Sequence, residues 1–557
     1  MGRKSKGKKR KALDKPEEKI LDTPKTEGIY VTVILLLSFA VYSNSLFNGF
    51  VFDDKFQILQ NPWIRDIKNL PEIFTSSVWS FQRETVGTNY YRPLMHTIYM
   101  FIFYVFGLKP WGFHLINIVF HVFISVLVFI VTKRLLSHSS HSPATSLLAF
   151  IAALLFATHP IHTEAVAWIA ALPDLSYTFF YLLSFYFYMK FKTESKWPYL
   201  FSLISFSLAT LCKEPALTLP IILIVYDYVF KEDRARLLAR FKIYIPYIFI
   251  SLCYLGLRFY ALGGFAPKNR HVDMSAYEYF INVFPLFSQY LEKLLLPVDL
   301  NAYHLLNPIS SILQPKGIFA VFITAVFIVL LVIARKKNKI IFFSFFLIVI
   351  PLLPTLYIPA IGETVFAERY LYLPSSGFVI LIAFILSWAN KNQSKLNLSL
   401  IMIAMSVIGL YFVGTMNRNA VWRDNYSLYS DMVKKSPEAA LPHYNLGNVY
   451  TEQGKIDEAI NEYRMAVQLN PNDAKAHNNL GLSYEHQGRI NEALDEYQAA
   501  LKLKPDNAIF HYNLGNMYAQ QGKIDEAINE YRIALQLNPN HAKAHQNLDL
   551  LQNRKRR

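Results

Sequence analysis

Charge is scarce in this sequence. Asp, Glu, Lys and Arg make up 17% of its 557 residues, against about 25% in a soluble domain. Cysteine is nearly absent: Cys212 and Cys253 both lie in apolar segments, so they supply no disulfide framework and say nothing about redox compartment. No Gly-rich phosphate loop, Ser-His-Asp arrangement or CxxC pair stands out. What is abundant is apolar surface, with 53% hydrophobic and 15% aromatic residues and a mean hydropathy of +0.22. The apolar residues gather in runs of about 15 to 21 between Gly28 and about Gly414, after which the chain turns polar. That distribution excludes a purely soluble enzyme and a disordered chain. It points to a polytopic membrane protein with a soluble appendage.

Acids are also outnumbered, 40 against 56 Lys and Arg, for a net charge of +16. Much of the excess sits in the N-terminal run MGRKSKGKKRK and in short loops between apolar segments, where membrane proteins place cations to fix orientation. Nucleic acid is therefore not an expected partner. The first 27 residues read as a basic, disordered cytoplasmic tail, and the run 28–47, without a small-residue cleavage site, as a retained span. Ten further spans are expected at 112–132, 144–158, 174–191, 198–212, 216–230, 242–262, 316–334, 340–358, 372–389 and 397–414. Every second loop is basic, beginning at Lys133-Arg134, Lys190, Lys231, Arg335 and Lys391, as an inside assignment requires. Eleven spans put the C-terminus opposite the N-terminus. The apolar stretches 94–107 and 279–297 read as interfacial or re-entrant helices in external loops.

From residue 440 the sequence repeats every 34 residues. Leu446-Gly447, Leu480-Gly481 and Leu514-Gly515 recur, with Tyr450, Tyr484 and Tyr518, then Ala459, Ala493 and Ala527, then Pro471, Pro505 and Pro539. This is the tetratricopeptide pattern, two amphipathic helices per repeat with small residues at the close crossing. Three repeats (440–473, 474–507, 508–541) reach the minimum for a shared core. Residues 542–557 read as a capping helix with a basic tail, and 416–439 as a linker with a degenerate half repeat. The fold class expected is all-α: a membrane helix bundle over 28–415, then a soluble α-solenoid over 440–541.

Four constellations carry chemistry. Asp53 and Asp54 are adjacent carboxylates among Phe50, Phe52 and Phe56, just after the first span, where a desolvated charge is costly and tends to be functional or paired. His159, His162 and Glu164 stand in HPIHTEAVAWIAALPD; Pro160 prevents a regular helix through both histidines, so a polar contact fits better than a metal site. Arg92, Lys213 and Arg369 are cations near external ends of spans, where the orientation rule depletes them, and suit an anion such as phosphate. Local ion pairs, Lys213 with Glu214 and Arg369 with Glu368, are the alternative. Asn445, Asn479, Asn513 and Asn547 recur once per repeat on the first helix, a ladder of amides suited to an extended peptide.

The segments FVFDDKFQILQNP, NYYRPL, HPIHTEAVAWIAALPD, LCKEPALTLP and ERYLYLPSSGF, in that order and followed by the repeats, resemble the transmembrane and tetratricopeptide-repeat O-mannosyltransferases. More distantly they resemble the protein O-mannosyltransferases; both are GT-C glycosyltransferases. The resemblance implies an active site at the acidic pair and a polyprenyl-phosphate sugar as donor. It makes Asp53 the base toward the acceptor hydroxyl and Asp54 an orienting or sharing partner. It gives Arg92, Lys213 and Arg369 the phosphate, and His162 and Glu164 the donor sugar or phosphate. Inversion at the anomeric carbon is a family expectation. No cofactor is firmly implied; some GT-C enzymes use a divalent metal and others do not, and no residues are assigned to one.

The expected activity is transfer of a sugar, mannose first, from the lipid phosphate to Ser or Thr of proteins outside the cytoplasm, with the repeats holding the acceptor. The near-consensus repeats and compact chain suggest a bacterial or archaeal cell membrane, or the endoplasmic reticulum in a eukaryote. Rivals are a GT-C transferase for a glycan or lipid acceptor, a non-enzymatic repeat scaffold in the membrane, and a transporter. The last would need charges at mid-depth in its spans, whereas here they cluster at the ends.

Overall fold

The computed structural model describes residues 24–82, 90–138, 145–191, 195–231, 241–264, 274–358, 365–389 and 397–556. Residues 1–23 of the expected basic tail, most of the basic loop that begins at Lys231, and Lys391 lie outside them. Among the described residues the regular structure is helical, with no strand. The chain divides into two compact units. The first comprises 1–48, 53–300 and 308–420, and the second 49–52, 301–307 and 421–557.

The first unit begins with α1 (Pro24–Ala40), α2 (Leu70–Thr75), α3 (Pro93–Phe106), α4 (Pro110–Leu136) and α5 (Thr145–Thr158). It continues with α6 (Thr163–Ala167), α7 (Leu172–Lys190), α8 (Trp197–Cys212), α9 (Leu219–Phe230) and α10 (Phe241–Leu262). Then come α11 (Ala276–Leu295), α12 (Pro315–Lys337), α13 (Lys339–Leu352), α14 (Pro374–Ala389) and α15 (Leu398–Asn419). Proline in the first turn starts α3, α4, α7, α8, α9 and α12, where its missing N–H has no helical partner to lose. A continuous apolar core joins Ile34, Phe129, Leu154, Phe185, Leu223, Phe343 and their neighbours.

Six helical stretches are long and apolar enough to cross a membrane: Pro24–Phe47, Pro110–Leu136, Phe241–Leu262, Pro315–Lys337, Lys339–Leu356 and Leu398–Trp422. A seventh is the pair Thr145–Thr158 and Pro160–Ala167, bent by 48°. The bend falls where Pro160 removes a backbone donor and clashes with the preceding turn. By length and composition the expected eleven spans are thus six or seven among the described residues. Of the remainder, α8 has 16 residues, α9 has 12 and α14 has 16, or about 24, 18 and 24 Å at 1.5 Å per residue. Each falls short of a hydrocarbon core of about 30 Å. The helix α7 has 19 residues and Asp174 in its first turn, and packs within the bundle. The stretch 94–107 forms the short apolar helix α3. The stretch 279–297 falls in α11, which opens with a capping box between Ser275 and Glu278.

The second unit holds α16 (Asn425–Lys435), then α17 (Ala440–Glu452) with α18 (Ile456–Leu469), α19 (Ala474–His486) with α20 (Ile490–Leu503), and α21 (Ala508–Gln520) with α22 (Ile524–Leu537). The helix α23 (Ala542–Arg556) packs on α22. A Cβ on Gly447 would lie 2.7 Å from the Tyr463 ring, and on Gly515 2.7 Å from that of Tyr531. Glycine at that position is what lets the two helices of a repeat close.

Candidate active site

All the cationic and acidic candidates outside the repeats belong to the first unit. Asp54 is fully buried, and its Oδ1 accepts a hydrogen bond of 2.8 Å from the Ala170 N–H. Asp53 is half-buried, and its carbonyl accepts from the N–H groups of Phe56 and Gln57 at 3.1 and 2.8 Å. Phe52, just before it, sits at φ +51°, a region bulky residues avoid and one that recurs at functional sites. Both carboxylates lie within electrostatic reach of Tyr99 on α3, whose hydroxyl donates to the Ile169 carbonyl at 3.2 Å.

Residues 168–170 connect this acidic pair to the cations. Ala170 holds Asp54, Ile169 holds Tyr99, and the Trp168 ring lies 5.2 Å beneath the guanidinium carbon of Arg369. Arg369 pairs with Glu164 through Nη1, and Glu164 Oε2 also accepts the Arg369 N–H at 2.9 Å. Arg92 binds Glu214 Oε2 with Nη2 at 3.0 Å and Nε at 3.3 Å, and lies 4.3 Å over the Tyr90 ring. Lys213 Nζ lies 2.5 Å from Asp174 Oδ1, with both side chains about 95% buried. Asp174 Oδ2 is 3.9 Å from Arg369 Nε. The Tyr370 ring faces Lys213 at 4.9 Å and Arg369 at 5.0 Å. In the turn after α8, burial works against the charge of Glu214, but Arg92 and hydrogen bonds outweigh it and hold the carboxyl below its usual range.

The ion pairs differ from those that neighbours in the chain would make. The neighbouring pairs Lys213–Glu214 and Arg369–Glu368 are not the principal ones. The partners are Asp174, Glu164 and Glu214, each from a different segment. His162 is fully buried between Phe156 and Tyr372 at 4.5 Å each, with Nε2 2.8 Å from Ser375 Oγ, on a turn that packs against the turn carrying Arg369. His159 is equally buried and contacts the Leu294 carbonyl at 3.3 Å. Among the described residues no group of three or more His, Cys, Asp or Glu is placed to hold a metal. Asp174, Tyr90, Tyr370 and Trp168 were not singled out from the sequence. Asp174 and Trp168 stand inside HPIHTEAVAWIAALPD, Tyr90 in NYYRPL and Tyr370 in ERYLYLPSSGF, so the motif boundaries already held the signal.

In the repeats the asparagine ladder joins neighbouring repeats. Asn479 Nδ2 donates to Asn448 Oδ1 at 2.9 Å, Asn513 to Asn478 at 2.9 Å and Asn547 to Asn516 at 3.1 Å. Asn445, in the first repeat, is half-buried. Asn479 Nδ2 also reaches the Tyr444 hydroxyl at 3.3 Å, and Asn547 Nδ2 the Tyr531 hydroxyl at 3.4 Å, so these amides are engaged within the solenoid.

The chain is thus an all-α membrane protein with an acid–cation site in its membrane unit and a tetratricopeptide solenoid after it. A family model described as "Dolichyl-phosphate-mannose-protein mannosyltransferase" matches residues 92–256, and the tetratricopeptide-repeat model matches 447–488, 486–522 and 515–552. The protein O-mannosyl-transferase TMTC3 of Mus musculus is 30% identical over 483 residues, covering 79% of this chain and 51% of its own. The protein O-mannosyl-transferase F38B6.6 of Caenorhabditis elegans is 28% identical, covering 80% of this chain and 63% of its own. This chain therefore spans about half the length of the first of these curated relatives. Among solved structures, MamA from Desulfovibrio magneticus RS-1 aligns at 22% identity over 23% of this chain and 73% of that chain, with a TM-score of 0.23. The resemblance to the transmembrane and tetratricopeptide-repeat O-mannosyltransferases extends across both the membrane part and the repeats. These relatives are animal proteins and lend no support to a bacterial or archaeal origin.

Proposed function

We propose that the protein is a membrane glycosyltransferase that moves a sugar, mannose first, from a polyprenyl-phosphate donor to Ser or Thr hydroxyls of proteins on the non-cytoplasmic side. The observation that carries this reading is the run 168–170, which joins buried Asp54 to Arg369, beside which stand two further ring-backed cations, buried Lys213 and part-buried Arg92. Half-buried Asp53 is the base, and buried Asp54 fixes the loop through Ala170. The acceptor oxygen attacks the anomeric carbon as the bond from that carbon to the phosphate oxygen breaks, and the electron pair leaves with the phosphate. The acceptor proton passes to Asp53. An ordinary carboxylate suffices when that transfer comes late, after positive charge has built on the sugar. Arg92, Lys213 and Arg369 stabilise the departing phosphate. Glu164 orients Arg369, and the repeats raise the local concentration of acceptor.

The test is transfer from labelled polyprenyl-phosphate mannose to co-expressed proteins by the purified chain and by Asp53→Asn. Loss of a positioned base lowers the rate about 10²–10⁴-fold with folding intact. Equal activity in both forms would move the base elsewhere, and transfer only to a glycan or lipid would replace the protein-acceptor reading.

A further inference from the structure

The ion pairs around the candidate phosphate site have a consequence beyond positioning. Three cations, Arg92, Lys213 and Arg369, stand with three carboxylates, Glu214, Asp174 and Glu164. The next charges out are also balanced: Arg258 acts on Glu214, and Glu368 on Glu164. The formal charge of these eight groups is therefore zero, with the acceptor-side acids Asp53 and Asp54 counted apart from them. Asp174 is central to that balance. It pairs with Lys213 at 2.5 Å, lies 3.9 Å from Arg369, and its charge reaches Arg92. It stands in the first turn of α7, where the helix dipole favours a carboxylate.

The two lipids that such a site meets differ in charge. A sugar-bearing polyprenyl phosphate is a diester with one negative charge. The polyprenyl phosphate left after transfer is a monoester, carrying about −1.5 to −2 at pH 7. A cluster with surplus positive charge in a buried site would hold the spent monoester more tightly than the donor, because the attraction scales with ligand charge. A neutral cluster offers hydrogen-bond donors to both without that bias.

We propose that Asp174 is a specificity-determining residue that keeps the cation cluster neutral, so that the dianionic product is released and the monoanionic donor can replace it. This rests on the phosphate-site reading above. The opposite role, a carboxylate that merely fastens Lys213, makes the opposite forecast, since a loosened cluster binds every phosphate less well.

The experiment measures equilibrium binding of polyprenyl phosphate, and of its monoanionic methyl ester, to the purified full chain in detergent. Asp174→Asn should bind the monoester about tenfold tighter and the methyl ester about threefold tighter, as one added site charge acts on two ligand charges or on one. Glu214→Gln adds the same charge from another element and should shift the ratio the same way, which covers the case of an Asp174 variant that does not fold. The double variant Asp174→Asn, Lys213→Met is neutral again and should return the ratio to the parent value. Unchanged or weakened monoester binding in folded Asp174→Asn and Glu214→Gln overturns the charge-balance inference. It leaves the transferase reading intact, because that reading stands or falls with Asp53→Asn. Absence of binding of either lipid by the parent and all variants overturns both the charge-balance role and the phosphate site beneath it.

Discussion

Asp53 and Asp54 share a side-chain chemistry and differ in surroundings. Asp54 is fully buried with Oδ1 engaged by Ala170, while Asp53 keeps part of its surface open. Replacing Asp54 with Ala strands the Ala170 N–H in a buried setting, so about 1–3 kcal/mol of stability should be lost, read as a lower unfolding temperature of the purified protein. Asp54→Asn keeps an acceptor oxygen and should lose less. A variant Asp54→Ala as stable as the parent would show that the 168–170 run is held by other contacts. The adjacency of the two acids was legible in the sequence; which one is buried was not, because Ala170 lies 116 residues away.

Among the elements, the repeats carry a device that their period contained but that drew no attention as sequence. His443, His477 and His511 each place Nε2 within 2.9–3.1 Å of a carbonyl, that of Pro437, Pro471 or Pro505. Their Nδ1 atoms lie 2.6 Å from Glu462, Glu496 and Glu530. A carbonyl only accepts, so each Nε2 carries hydrogen. For His443 the bond to Glu462 outweighs partial burial and raises the pKa above its ordinary value. A raised folded-state pKa makes this stabilisation complete below about pH 6.5, the unfolded value, and lost as pH rises through the folded value. The unfolding temperature of the repeats should therefore fall between pH 6 and pH 8, and His443→Gln should flatten that fall; an equal slope in both would assign the dependence to other groups. The recurrence of His with Pro six positions before and Glu nineteen after was there to be read. The number of membrane spans was not, since an apolar run looks alike whether it faces lipid or, as in α7, other helices.

For the whole molecule, the two units divide the proposed labour: donor and acid–cation site in the first, acceptor in the second. Removing residues 440–557 should abolish transfer to folded protein acceptors while leaving polyprenyl-phosphate binding within about threefold, because every proposed lipid-phosphate contact lies in the first unit. Undiminished transfer to proteins by the truncated chain would remove the acceptor role from the repeats. The sequence by itself determined the membrane class, the break at Pro160 and the presence of tetratricopeptide repeats. These follow from local patterns of apolar runs, proline and a fixed period, which act within a few tens of residues. Only the tertiary structure decided the ion pairs. Arg92 meets Glu214 across 122 residues, Arg369 meets Glu164 across 205, and Lys213 meets Asp174 across 39. At this site each charge takes the partner that the packing of helices delivers, because taking a charge out of water is repaid only where an opposite charge stands close by.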